Sequence, residues 1–187
     1  QVAEVLVGAG VTLGPGQSYN ASTQVTVPGV VAGEHYWQVS TNTKRDIFEG
    51  ANSANNSTLS ISKVNVDMTG LSVGGSALSG NFADTGDLTW FKVIPQAGQD
   101  VRISLDSAAT TGAVELFIGQ GYVPTPDHFD SRQSQFNSPD ASVVIPSAVA
   151  QPYYVLARAT SLPGGATTFT IAASAIDFSL ISVNPST

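Results

Sequence analysis

Apolar and polar residues alternate with period two along most of this chain, the spacing of strands that bury one face. In residues 18–27, Tyr19, Ala21, Thr23, Val25 and Val27 fall on one face and Asn20, Ser22, Gln24 and Thr26 on the other. In residues 34–42, Trp37 and Val39 share a face opposite Tyr36, Gln38 and Ser40. With residues 2–7 and a strand through Leu59 and Ile61, this predicts about four strands before residue 68. Seven more are predicted at 76–82, 88–94, 100–105, 113–118, 141–145, 152–159 and 167–173. No segment sustains a 3.6-residue period, so no helix longer than about two turns is expected.

The punctuation between these runs is that of turns. Gly14-Pro15-Gly16 and Pro28-Gly29 break strands sharply, and residues 49–56 (Glu-Gly-Ala-Asn-Ser-Ala-Asn-Asn) form a loop of residues suited to left-handed backbone. Residues 70–75 read as a junction, dividing the chain into modules 1–68 and 69–175 with a tail at 176–187. Seven short strands with turns between them predict a β-sandwich for the second module. Residues 119–140 are long for a connection and mark a functional or mobile segment.

Composition agrees with an all-β chain of two small modules in tandem. Of 187 residues, 42% are hydrophobic and 11% charged, enough apolar material for packed cores. The net charge of −7 and the lack of any basic stripe beyond Lys44-Arg45 argue against nucleic acid and against anionic membrane surfaces. The longest apolar runs, of about five residues, are far short of the roughly 20 a spanning helix needs, so no membrane insertion is expected. The absence of cysteine excludes disulfides and thiolate chemistry but not an extracellular home. A chain that starts at Gln1, without a leader, reads as a mature or excised piece of a larger secreted or cell-surface protein.

Two resemblances sharpen this. Leu13-Gly14-Pro15-Gly16-Gln17-Ser18-Tyr19, Val25-Thr26-Val27-Pro28, Gly33-Glu34-His35-Tyr36-Trp37 and the run from Asp46 to the paired Asn55-Asn56 resemble the bacterial cell-adhesion-related domain CARDB. That family has an immunoglobulin- or fibronectin-like sandwich, and the match covers only its second half, over residues 1–67. Leu78-Ser79-Gly80, the run Asp87-Leu88-Thr89-Trp90-Phe91-Lys92-Val93, Ala97-Gly98-Gln99-Asp100-Val101, Val114-Glu115-Leu116-Phe117-Ile118 and Tyr153-Tyr154-Val155-Leu156-Ala157-Arg158-Ala159 are similar to the bacterial pre-peptidase C-terminal domain. This second resemblance implies a jelly-roll-like sandwich attached to exported proteins. Thr89 stands where that family often has a second Asp before its aromatic pair. The tail 177–185 is similar to the opening strand of a further β module.

Candidate chemistry is sparse. Asp84-Thr85-Gly86 matches the aspartic-protease triplet, but one copy cannot supply the shared-proton carboxylate pair, and a turn is the better reading. His35 and His128 lie in different modules, and no Gly-x-Ser-x-Gly elbow is present. The expectation is a protein that is not an enzyme and carries no cofactor. Asp127, Asp130 and Asp140, with Asn137, offer hard oxygens on one long loop, for which calcium is the fitting ion, although solvated loop carboxylates explain them as well. Asp46, Glu49, Asn52, Asn55 and Asn56 read as side chains that satisfy turn backbone. Trp90, with Tyr122, Phe129, Phe136 and Tyr153, would form an aromatic platform for stacking on a sugar ring.

The leading functional expectation is a structural or adhesive module pair. Its partners would be other β modules of the parent protein. The alternative is a carbohydrate-binding or substrate-docking module of an exported hydrolase, with extracellular polysaccharide as ligand. About four strands in residues 1–67 make one sheet, not two layers, so its apolar face (Tyr19, Val25, Val27, Trp37, Val39) needs a cover. Either the second module or self-association of the chain would provide it, with the strand at 178–183 as a candidate donor.

Overall fold

A computed structural model describes residues 3–4, 17–18, 20–25, 27, 29–133 and 135–177. The chain divides into two compact units, residues 1–30 and 31–187. In the first unit, the described residues between 17 and 27 form no strand where alternation predicts one, and most of the strand predicted at 2–7 lies outside the described residues.

The second unit opens with a two-stranded ribbon. Strand β1 (Gly33–His35) is followed by β2 (Gln38–Ser40), and the chain returns through β3 (Ser57–Leu59) and β4 (Val64–Val66). β1 pairs with β4 and β2 with β3, all antiparallel. The tip carries a single 3₁₀ turn at Gly50–Asn55, the one helical element among the described residues. Trp37, Val39 and Leu59 of this ribbon are exposed.

From Thr69 onward the fold is a sandwich of two sheets. Its strands are β5 (Thr69–Leu71), β6 (Leu78–Phe82), β7 (Leu88–Val93), β8 (Val101–Ser107), β9 (Ala113–Gln120), β10 (Ser131–Arg132), β11 (Ala141–Ile145), β12 (Tyr153–Ser161) and β13 (Thr167–Ala175). One sheet has the order β10-β9-β12-β7-β5 and the other β11-β8-β13-β6. The seven strands predicted here are all present, a residue or two longer or shorter. Two are additional: β5, inside the stretch that reads as a junction, and β10, inside the long connection.

Alternation decides which side chains enter the core. Val101, Ile103 and Leu105 of β8 point inward and are essentially inaccessible, while Arg102 faces solvent. Ala141, Val143 and Ile145 of β11 pair with them in register. The facing layer is built from Phe91 and Val93, from Val114, Leu116 and Ile118, and from Tyr153, Val155 and Ala157. Phe169 of β13 stacks on Phe82 with ring centroids 4.5 Å apart and meets the edge of Phe91 at 6.4 Å. The stretch from β5 to Val73 switches layers: Thr69–Leu71 lies parallel to β7 in one sheet, and Val73 bridges Ala173 in the other.

Gly80 is the position where the core tolerates least. A Cβ there would lie 2.4 Å from the Phe169 ring, and that ring is clamped between Phe82 and Phe91. Gly80→Ala should therefore destabilise the chain by about 1–3 kcal/mol, as overpacking does, read as a lowered midpoint in urea; an unchanged midpoint would show that Phe169 has room to move.

Candidate functional site

Strand β12 gathers the side chains of interest. Its residues from Tyr153 to Ala157 are all buried, on both faces of the sheet. Tyr153, Val155 and Ala157 face the core. Tyr154, Leu156 and Arg158 face outward, and register aligns them with neighbours on either side. One row reads Trp90, Leu156, Phe117, Arg132 across β7, β12, β9 and β10. The row on one side reads Lys92, Tyr154, Gly119, and that on the other Leu88, Arg158, Glu115. An Arg158–Glu115 contact of 3.6 Å links the last row across strands.

Leu156 and Phe117 are as inaccessible as core residues although they lie on the outer face. Over Phe117 lies the β9–β10 connection, residues 121–130, which folds back as a strap. Phe129 packs on Phe117 with centroids 5.1 Å apart, and Tyr122 runs over Gly119, where a Cβ would sit 2.5 Å from the Tyr122 carbonyl. Tyr122 stacks on His128 at 4.5 Å, and a tight turn closes with Thr125 N–H donating to the His128 carbonyl. The strap is pinned at its return, where the Asp130 N–H donates to the Ile118 carbonyl and the Asp130 carboxylate accepts from Gln120 N–H at 2.7 Å. Burial, reinforced by the hydrogen bond to Asp130, holds the Tyr122 phenol above its ordinary value. Beyond β10, the Gln133 side chain continues the sheet edge. Its Oε1 accepts from Leu116 N–H, and its Nε2 donates to the Val114 carbonyl at 3.0 Å, in a site with almost no solvent access.

The predicted aromatic group thus assembles in part. Trp90, Tyr122 and Phe129 share the outer face, and Phe136 joins them through Arg132, whose guanidinium lies 5.6 Å from the Phe129 ring and 4.9 Å from that of Phe136. Phe136 is exposed, Trp90 half-buried, and the Trp90 indole N–H is buried without a hydrogen bond among the described residues. Tyr153 does not belong with them. It precedes Tyr154 on the strand and so points the opposite way, into the core, with its hydroxyl accepting from Val149 N–H. Sequence reasoning misses Phe117, Tyr154, Leu156 and Gln133. The unbroken apolar run from Tyr153 to Ala157 is the signal for Tyr154 and Leu156, and the run Leu116-Phe117-Ile118 for Phe117, because a strand without alternation is buried on both faces.

The three aspartates proposed as metal ligands are not brought together. Asp130 is bound to Gln120 of β9, Asp140 to Ser107 N–H of β8 in the other sheet, and Asp127 sits exposed in the strap turn. Among the described residues no group of three His, Asp or Glu side chains could hold a metal ion. Asp130 and Asp140 are each committed to a backbone N–H of a different sheet. Other acidic side chains are committed in similar ways. Asp87 accepts from Ala83 and Asp84 N–H, which makes Asp84-Thr85-Gly86 a turn, and Asp100 accepts from Ser147 N–H. Glu49 accepts from the Asn56 and Asn42 side-chain amides at the ribbon tip, and these bonds, Asn56 first, hold its carboxyl below the ordinary value. His35 donates to the Val31 carbonyl, far along the chain from His128 in the strap.

Three outcomes test this arrangement. Gln133→Leu leaves Leu116 N–H and the Val114 carbonyl without partners at a buried edge and should cost about 2–4 kcal/mol in chemical denaturation; a neutral result would mean that water reaches that edge. A raised phenol pKa favours the folded state below the ordinary value of 10.0, and that contribution is lost as pH rises through the higher folded value. Ultraviolet titration should show a tyrosine ionising above 10.0 that disappears in Tyr122→Phe and moves down in Gly119→Ala, whose Cβ lifts the strap. The Glu49 contribution has the opposite sign: it is present above pH 4.5 and lost as pH falls through the lowered folded value. The Asn42 and Asn56 side-chain amide signals in NMR should therefore shift in acid, a step that Glu49→Ala abolishes.

No family model matches the sequence, and no curated protein matches it. Several solved structures are similar to its sandwich. The pre-peptidase C-terminal domain of a collagenase from Bacillus anthracis shares 10% identity over 57% of this chain and 94% of its own, with a TM-score of 0.44. PliG, a periplasmic inhibitor of g-type lysozyme from Aeromonas hydrophila, shares 14% over 58% of this chain and 97% of its own, with a TM-score of 0.40. CorA, a surface-associated copper-binding protein important in copper acquisition in Methylomicrobium album BG8, shares 11% over 58% and 98%, with a TM-score of 0.39. The CARDB-like module expected for residues 1–67 has no counterpart among the three.

Proposed function

We propose that this chain is a non-catalytic structural or adhesive part of a larger exported bacterial surface protein. In this reading residues 69–175 form a sandwich module and residues 1–68 belong to a CARDB-like one. The observation that carries the proposal is the use made of the acidic side chains. Asp87, Asp100, Asp130 and Asp140 each hold a backbone N–H at a turn or strand end, an arrangement that fastens loops instead of poising a nucleophile or base. Among the described residues no helix is long and apolar enough to cross a membrane.

A second reading is favoured by the outer face of the five-stranded sheet. Trp90, Phe129, Arg132 and Phe136 share that face, and rings beside the Arg132 guanidinium suit a sugar, whose apolar face stacks while its hydroxyls accept from the guanidinium. Extracellular polysaccharide is the ligand class in this reading.

Both are tested on the whole chain. Peptide and glycoside substrates should not be turned over, and turnover that vanishes in Asp84→Ala would end the non-catalytic reading. On a glycan array, any sugar retained should bind more weakly by roughly 1–3 kcal/mol in Trp90→Ala or Phe136→Ala, as loss of one stacking ring does. Both variants should keep their fold, whereas Tyr153→Ala should lower the melting point. Affinity that survives both ring deletions would remove the outer face from consideration.

A further inference from the structure

The ribbon at residues 31–66 departs from every other part of the described structure in three ways. First, it exposes large apolar side chains. Phe48 is 97% exposed and Ile61 fully so, with Ile47, Val39, Leu59 and Tyr36 about half exposed or more. These side chains are spread over both faces: Val39 pairs with Thr58 and Leu59 with Gln38, so Val39 and Leu59 point to opposite sides of the ribbon, and each side leaves apolar surface open to a partner.

Second, the ribbon is neutral. It carries Lys44, Arg45 and Lys63 against Glu34, Asp46 and Glu49, so the whole net charge of −7 lies outside it. Outside the ribbon, two copies of the chain carry a net charge of the same sign. Both signs also occur at both ends: Glu34 pairs with Lys63 at the base, and Lys44, Arg45, Asp46 and Glu49 lie towards the tip. The same surface therefore offers opposite charges to itself in either orientation.

Third, among the described residues its edges are open. There β2 pairs only with β3, and Gln38-Val39-Ser40 and Ser57-Thr58-Leu59 contain neither charge nor proline. Those are the residues by which natural edge strands prevent association.

We propose that residues 31–66 are a homodimerisation element, in which the ribbon of one chain adds edge to edge to the same ribbon of a second copy and the exposed apolar side chains cover one another. This goes beyond the functional reading above and does not depend on it, since it rests on the ribbon alone.

Sedimentation equilibrium on the full chain tests the proposal. The mass should rise with concentration from 19.2 kDa towards twice that value. Raising the ionic strength from about 0.05 to about 0.5 M should tighten the dimer, because salt screens the repulsion between the two −7 bodies. Val39→Lys and Leu59→Lys place a charge at each edge and should weaken association at least about tenfold, the loss expected of a central interface residue. Phe48→Ser, at a side chain that supports nothing within the chain, should weaken it without touching the fold, and Val144→Lys on β11 should leave it unchanged. A chain that stays monomeric at every concentration overturns the proposal. So does a monomer whose ribbon amides exchange slowly, which would show the chain's own first thirty residues as the cover. Association indifferent to the ribbon variants overturns it as well.

Discussion

The sandwich depends on a strand that has no solvent face. β12 buries Tyr153, Val155 and Ala157 against the opposite sheet and Tyr154 and Leu156 on the other side. A strand of this kind needs two covers, and a two-sheet sandwich supplies only one. The second is the strap at residues 121–130, with Phe129 on Phe117 and Tyr122 over Gly119. The length of the β9–β10 connection, the glycine at 119, the anchoring carboxylate of Asp130 and the amide of Gln133 all follow from that need. What reads along the chain as an oversized loop packs in part on the outer face of β9.

The acidic balance of the chain has a related origin. A fold of short strands and many turns leaves backbone N–H groups at every strand end. Here carboxylates answer them: Asp87 at the turn into β7, Asp100 across to Ser147, Asp140 across to Ser107. An Asp in such a place reaches back to nearby backbone with little loss of freedom and needs no cation. Few lysines and arginines accompany the fourteen acids, and the described ion pairs are few and lie at the surface, as in Lys92–Asp67.

The sandwich was legible because its strands alternate: Val101, Ile103 and Leu105 against Arg102 and Ser104 state both the strand and its buried face. β5 was not, since Thr-Gly-Leu is too short to show a period and its pairing with β7 is parallel and distant. β10 was hidden for the same reason, and its edge is continued by a side chain, Gln133, which no backbone pattern reveals. Of the aromatic residues singled out, Trp90, Tyr122, Phe129 and Phe136 lie towards the outer face, whereas Tyr153 points into the core; the adjacent Tyr154 leaves the facing ambiguous in the sequence. The aspartates failed as a set because nearness along the chain does not bring Asp130 and Asp140 to one side of the sandwich: they serve different sheets. In the first unit, alternation over residues 18–27 is present in sequence without a strand among the described residues there. Period two favours a strand only when a partner edge is available to pair with it.

The crossing of the chain at Leu71 to Val73 has a mechanical consequence. Val73 lies parallel to Ala173 of β13, the last strand of the sandwich, and Gly74 N–H donates to the Ala173 carbonyl at 2.8 Å. The segment that leads into the module and the one that leads out of it therefore run side by side in the same direction. Tension applied through residue 69 and residue 175 pulls these strands past each other along their length. The Gly74–Ala173 hydrogen bond that joins them is then loaded in shear instead of being peeled apart.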